Sequence, residues 1–154
     1  MIVNKYLSYL AFLLISLASG GIGSLFTMAG LQAYEQLNRP PLTPPSILFP
    51  IVWTILFLLM GVGAARVWKR PGRDRAILVY GVQLLFNVLW SAWFFLLQWR
   101  LFAFFWLLAL ILLVALMIRS FIRIDVLAGA IQIPYLLWCA FAAYLNFGFW
   151  FLNR

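Results

Sequence analysis

Three stretches of this chain carry side chains that could hold a small molecule. Gln83, Asn87, Trp90 and Phe94 recur at the three- and four-residue steps that share one face of a helix, as do Tyr135, Trp138, Ala142 and Asn146. Trp53, Phe57, Met60 and Ala64 repeat the pattern. Aromatic faces with a few amides suit a flat, largely apolar ligand, stacked on rings and oriented by a small number of hydrogen bonds. Ordinary packing or an interfacial aromatic belt is the competing reading for each of the eight tryptophans. Trp68, Trp99 and Trp150 lie near the ends of apolar runs and fit the belt, whereas Trp53, Trp90 and Trp138 lie deeper and are candidates for a cavity wall.

Acid–base and metal chemistry are poorly supplied. The sequence has no histidine, so no Ser-His-Asp or Cys-His arrangement can be built and the commonest metal ligand is missing. Cys139 is the only cysteine and sits in an apolar run, which supports neither a disulfide nor a thiolate metal site. The three carboxylates, Glu35, Asp74 and Asp125, are all expected in loops. No metal and no cofactor are expected.

The elements that must position the three faces follow from composition. Hydrophobic residues make up 67% of 154 positions and charged residues 9%, too few charges to hydrate a soluble surface, so the chain is an integral membrane protein. Five runs lack Asp, Glu, Lys and Arg: residues 6–34, 40–65, 76–99, 101–118 and 126–153. Each has at least 18 residues, close to the roughly 20 that cross a bilayer core as a helix, and none shows the alternation of a β-barrel strand. The expected fold is an all-α five-transmembrane-helix bundle in a single domain, with helices at about 6–28, 46–68, 76–98, 101–119 and 126–151. A secretory signal cleaved after Ala18 is the competing reading of the first run, but the apolar stretch continues past it through Leu25 and Phe26.

Charge orients the bundle. Lys5, Arg66, Lys69, Arg70, Arg73, Arg75, Arg119 and Arg123 fall on one side, and Arg39, Arg100 and Arg154 on the other, which predicts the N-terminus inside and the C-terminus outside. The net +8 is thus a topology signal and an attraction for anionic lipid, and it calls for no nucleic-acid partner. Ser16, Gly20, Gly23 and Thr27 make a smooth stripe on the first helix, suited to close packing within the bundle or to a dimer contact. Between the first two helices, Pro40, Pro41, Pro44 and Pro45 stiffen the connector, because proline fixes φ and biases the preceding residue away from helix.

In order along the chain, "YEQLNRPPLTPPSILFPIVW", "MGVGAARVWK", "QLLFNVLWSAWFF" and "IPYLLWCAFAAYLN" resemble the signatures of the TspO/MBR family, the translocator and tryptophan-rich sensory proteins also known as peripheral-type benzodiazepine receptors. The resemblance implies a homodimeric receptor or carrier for porphyrins such as protoporphyrin IX, for benzodiazepine-site ligands and, in animal relatives, for cholesterol. It implies a cavity inside the bundle, with Trp53 and Trp138 stacking on the ligand, Asn87 bonding to it and Ala142 keeping the wall thin. Tyr34 and the Pro40–Pro45 segment, Pro44 included, would close the top as a lid at about 33–46. Phe57, Trp90, Tyr135 and Asn146 complete the candidate set from the same faces. Some members degrade protoporphyrin in light with pocket tryptophans, a chemistry that needs no acid–base residue. A small lipid or sterol transporter is the third reading. Departures from the pattern are Ala33 where tryptophan is usual, no aromatic near Leu42, an apolar residue near Leu107 where an acid is common, and no basic residue between Tyr144 and Arg154 to complete the sterol motif.

Overall fold

The structure, a computed structural model, describes residues 2–154, with side chains from Tyr6 onward. Six helices follow one another: α1 (Ile2–Glu35), α2 (Leu48–Trp68), α3 (Asp74–Ser91), α4 (Arg100–Ile122), α5 (Val126–Ala130) and α6 (Ile133–Leu152). A wider π turn, Ala92–Leu96, prolongs α3. The π turn joins α3, and α5 joins α6, so that five apolar segments are long enough to cross a membrane. The multi-pass all-helical membrane fold expected from composition is the one observed.

The boundaries differ from the expected ones where local chemistry intervenes. α1 continues to Glu35, beyond residue 28, because the first proline is Pro40 and the one weak helix former in residues 29–35, Gly30, is held by its close approach to the Phe95 backbone. The connector therefore starts at residue 36 rather than 33. The last span is two pieces: Pro134 has no N–H to return to Ala130, and the chain turns through Ile131 and Gln132 before α6 begins with that proline in its first turn. The Gln132 side chain fills the break, its Nε2 donating to the carbonyls of Leu59 at 2.8 Å and Ala128 at 3.2 Å.

Packing runs in a ring from α1 to α3, α3 to α4, α4 to α5 and α6, α5 to α2, and α2 back to α1. At one end of the ring the helices approach closely. A β-carbon on Gly61 would lie 2.9 Å from the Phe12 carbonyl and from the Leu13 Cα, and one on Gly63 would strike the Gln132 amide and lie 3.0 Å from the Ala128 carbonyl. Only glycine permits such approach, the usual device for associating helices in a solvent as apolar as themselves. Ser16 and Gly20 of the smooth α1 stripe serve the bundle itself: Ser16 Oγ pairs with the Tyr80 hydroxyl at 2.7 Å, and Gly20 faces the Phe57 ring.

The same end is closed by ions. Asp125, its side chain 6% exposed, caps α5 by accepting from the Ala128 N–H at 3.0 Å and takes the Arg66 guanidinium through both carboxylate oxygens at 2.9 and 3.1 Å, with Arg70 at 3.9 Å. Burial pushes this carboxyl up, but the Ala128 N–H and the two arginines outweigh it and hold it below the ordinary aspartate value.

Candidate functional site

At the other end the ring does not close. The α2 and α6 backbones stay apart, bridged near the start of α6 by the rings of Phe49 and Trp53 against Tyr135 and Trp138, and between the two helices, against α1 and α3, lies a cavity of about 440 Å³. That is within the usual range for small-molecule sites. Tyr34, Trp53, Phe57, Asn87, Trp90, Ala142 and Asn146, all singled out from the sequence, line it. Trp53 is the hub of the wall: its ring centroid lies 5.8 Å from Phe57, 6.3 Å from Trp90, 6.2 Å from Tyr135 and 6.5 Å from Trp138.

Pro44, Tyr135 and Trp138 do not line the cavity. Trp138 stands behind the wall, edge-on to Trp53 at 87° and to Phe49 at 65°, where it buttresses the rings that face inward. Tyr135 is wholly buried and works through hydrogen bonds. Asn87 Nδ2 donates to its hydroxyl at 2.7 Å, the hydroxyl donates to Gln83 Oε1 at 2.8 Å, and Gln83 Nε2 points at the Met60 sulfur at 3.5 Å. This relay satisfies polar groups that hydrocarbon cannot, and it fixes the Asn87 amide so that its oxygen is left over at the cavity wall. Asn146 is tied in a second chain, Oδ1 accepting from the Trp90 indole at 3.0 Å and Nδ2 donating to the Arg100 carbonyl at 2.8 Å.

The proline connector is held in place by α6. The Asn38 backbone N–H donates to Asn153 Oδ1 at 2.9 Å while Asn153 Nδ2 donates to the Asn38 carbonyl at 3.0 Å, a reciprocal clasp. The Tyr144 hydroxyl donates to the Pro41 carbonyl at 2.8 Å, and Gly148 makes room for the Pro40 ring. Between these ties Pro40–Thr43 forms a turn in which Pro41 takes the second place and Leu42 the third at φ 68°, a left-handed conformation that suits glycine. Cavity-lining residues of this region are Ser46 and Ile47, at the entry to α2.

Apart from Tyr34, the α1 wall was not among the site residues singled out from the sequence. Ser24, Met28, Leu31 and Glu35 of α1 line the cavity along with Gly23 and Thr27 of its small-residue stripe. The signal was present, since small side chains at that height leave space opposite the large rings of α2 and α3, but a smooth helical face reads first as a packing surface. Phe94, on the α3 face read from the sequence, lines it too, whereas Phe49, Ser91, Phe95, Leu145 and Phe149 were not among the candidates. Of the tryptophans assigned to the belt, Trp68 and Trp99 are exposed, and Arg73 covers the Trp68 ring at 4.3 Å.

Comparison with known proteins matches residues 11–151 to the TspO/MBR family. The chain is 37% identical to the tryptophan-rich protein TspO of Chlorobaculum tepidum, covering 98% of this chain and 99% of that one. It is 38% identical to the tryptophan-rich sensory protein of Cereibacter sphaeroides, over 74% of this chain and 72% of that one. It is 30% identical to the translocator protein of Ovis aries, over 93% and 88% respectively.

Proposed function

The chain belongs to the TspO/MBR family, and from that premise we propose that it is a membrane receptor or carrier whose cavity binds protoporphyrin IX and other flat apolar ligands, in tetrapyrrole sensing, transport or disposal. The observation that carries the reading is the cavity itself, enclosed by Trp53, Phe57 and Trp90 with the Asn87 oxygen at its wall. Rings supply stacking surface and the amide oxygen supplies an acceptor for an N–H such as that of a pyrrole. The positive-inside count supports a cytoplasmic N-terminus, and with it a cavity end that faces outward. Family membership supports a homodimer. Since Ser16 and Gly20 are occupied within the bundle, the dimer contact falls on other lipid-facing surface.

Titration of the purified protein with protoporphyrin in the dark tests the reading. Saturable quenching of tryptophan fluorescence, weakened when Ala142→Leu narrows the cavity, is the expected result. Quenching of equal strength in the wild type and in Ala142→Leu removes the cavity from the account.

Light-dependent degradation is the second reading. It is favoured by the joined rings of Trp53, Trp90 and Trp138, which offer an oxidisable cluster against the ligand. Loss of protoporphyrin absorbance under illumination in the wild type, and its persistence with a Trp53→Phe, Trp90→Phe double variant, would make the protein an enzyme. Binding without such loss leaves a receptor.

A further inference from the structure

The Asn87 amide meets the cavity with a polarity decided by side chains that do not line it. Its Nδ2 donates to the Tyr135 hydroxyl at 2.7 Å, the hydroxyl donates to Gln83 Oε1 at 2.8 Å, and Gln83 Nε2 reaches the Met60 sulfur at 3.5 Å. Tyr135, Gln83 and Met60 are wholly buried, and none of the three is a lining residue. In this direction the relay leaves the Asn87 oxygen for a ligand.

The opposite direction uses the same atoms. An amide carries a donor and an acceptor of nearly equal size on one carbon, and a hydroxyl gives one hydrogen bond while accepting another. With both amides turned over, Gln83 Nε2 donates to the Tyr135 hydroxyl, the hydroxyl donates to Asn87 Oδ1, and Asn87 Nδ2 faces the cavity. Both central hydrogen bonds survive, and the terminal torsion of an amide is broad and roughly two-fold, so packing does not oppose the turn. The Cys139 thiol, within reach of the Tyr135 hydroxyl, is a weak donor and a weak acceptor and suits either direction. Inside the protein the two arrangements therefore differ by the Gln83 contact with Met60, a hydrogen bond to a weak acceptor. At the other end they differ by what the ligand presents to Asn87.

We infer that the Gln83–Tyr135–Asn87 relay is reversible and takes its direction from the ligand, so that one cavity accepts flat molecules presenting either an N–H or a carbonyl to Asn87, with Gln83 and Tyr135 as positioning residues. The inference rests on the reading of this cavity as the ligand site. A ligand shifts the relay by its different affinity for the two directions, and one ordinary hydrogen bond from the ligand outweighs the contact with a thioether sulfur. A fixed amide oxygen would instead face a ligand carbonyl as a second unpaired acceptor and reject it.

Three planar tricycles test it by equilibrium dialysis against the full chain in neutral detergent: carbazole, which presents an N–H, fluorenone, which presents a carbonyl, and fluorene, which presents neither. Asn87→Leu should weaken carbazole and fluorenone about tenfold each and leave fluorene nearly as it was. Comparing each probe across variants cancels its partition into detergent. Met60→Leu removes the sulfur and should raise fluorenone binding relative to carbazole about threefold, although residue 60 lies outside the lining. The same substitution in a Tyr135→Phe background, where the relay is cut, should leave that ratio unchanged. Loss of only one polar probe in Asn87→Leu means a fixed amide and overturns the inference, as does loss of neither. So do an absent Met60→Leu effect, one that survives Tyr135→Phe, and a chain that takes none of the probes. Protoporphyrin titration separates the two readings. Probes that follow the pattern while protoporphyrin fails to bind keep the relay and remove the porphyrin, whereas bound protoporphyrin with fluorenone indifferent to Asn87 keeps the porphyrin and removes the relay.

Discussion

The two ends of the bundle obey the same solvent and reach opposite results. At the turn end, glycines bring backbones together, Gln132 bonds across the gap left by Pro134, and an arginine–aspartate pair seals the corner. At the cavity end Gly30 still lets α1 rest against the Phe95 backbone, but between α2, α3 and α6 the rings of Trp53, Phe57, Trp90 and Phe94 stand where small residues would be needed for contact, and there the helices stay apart. Lipid gives no hydrophobic reward for closing either gap. Side-chain size and polar satisfaction therefore decide which end is solid and which is hollow, and substitutions at the two ends should separate stability from binding.

The largest expected effect is at the solid end. Gly63→Val would drive its side chain into the Gln132 amide and the Ala128 carbonyl, and since backbone cannot yield cheaply, a loss of about 3 kcal/mol or complete failure to fold is expected in denaturant titration. A variant as stable as the wild type would break the contrast. The counterpart is Ala142→Leu, which adds bulk to open space. It should weaken ligand binding about tenfold with little change in thermal stability.

Asp125→Ala comes next, at about 2–3 kcal/mol, because it strands Arg66 and uncaps α5 while leaving dark ligand affinity intact. The pH dependence has a definite sign. The folded-state carboxyl titrates below its unfolded value of about 4, so its contribution is complete above that pH and is lost as pH falls through the depressed value. Acid unfolding followed by circular dichroism should therefore start at higher acidity in the wild type than in a variant lacking this carboxylate. The expected result is a shallower acid limb for Asp125→Ala.

Smaller effects sharpen the inner geometry. Trp53→Phe should cost several-fold in affinity, on the scale of one stacking contact of about 1 kcal/mol, and more than Trp138→Phe, which acts only by loosening the ring it supports. The opposite order would put Trp138 in the wall. Smallest of all, Leu42→Gly should relieve the left-handed residue of the connector and raise thermal stability by roughly 0.5–1 kcal/mol.

How much of this was legible depended on whether the signal was local. Long charge-free runs define spans whatever their partners, so the five-segment bundle could be read directly, as could the α2 and α3 faces carrying Trp53, Phe57, Asn87 and Trp90. Faces show which way a residue points relative to its own helix, but not what comes between it and the cavity. Trp138 and Tyr135 share a face with Ala142 and Asn146, yet Trp53 and Phe49 stand in front of Trp138, and Asn87 in front of Tyr135's hydroxyl. The α1 wall was hidden for a complementary reason: a hollow is made by what is absent, and Ser24 or Gly23 lines one only because a large ring elsewhere props the helices open. The split of the last span was half visible, since Pro134 announced a break while the role of Gln132 in filling it needed α2 in place.

The clasp between Asn38 and Asn153 joins positions 115 residues apart. During synthesis the connector therefore emerges well before its partner. The connector cannot be fastened until α6 has inserted and packed, so the mouth of the cavity matures later than the α1 and α2 walls it covers, and a chain stalled or truncated before Asn153 would be membrane-embedded with its binding site still unlatched.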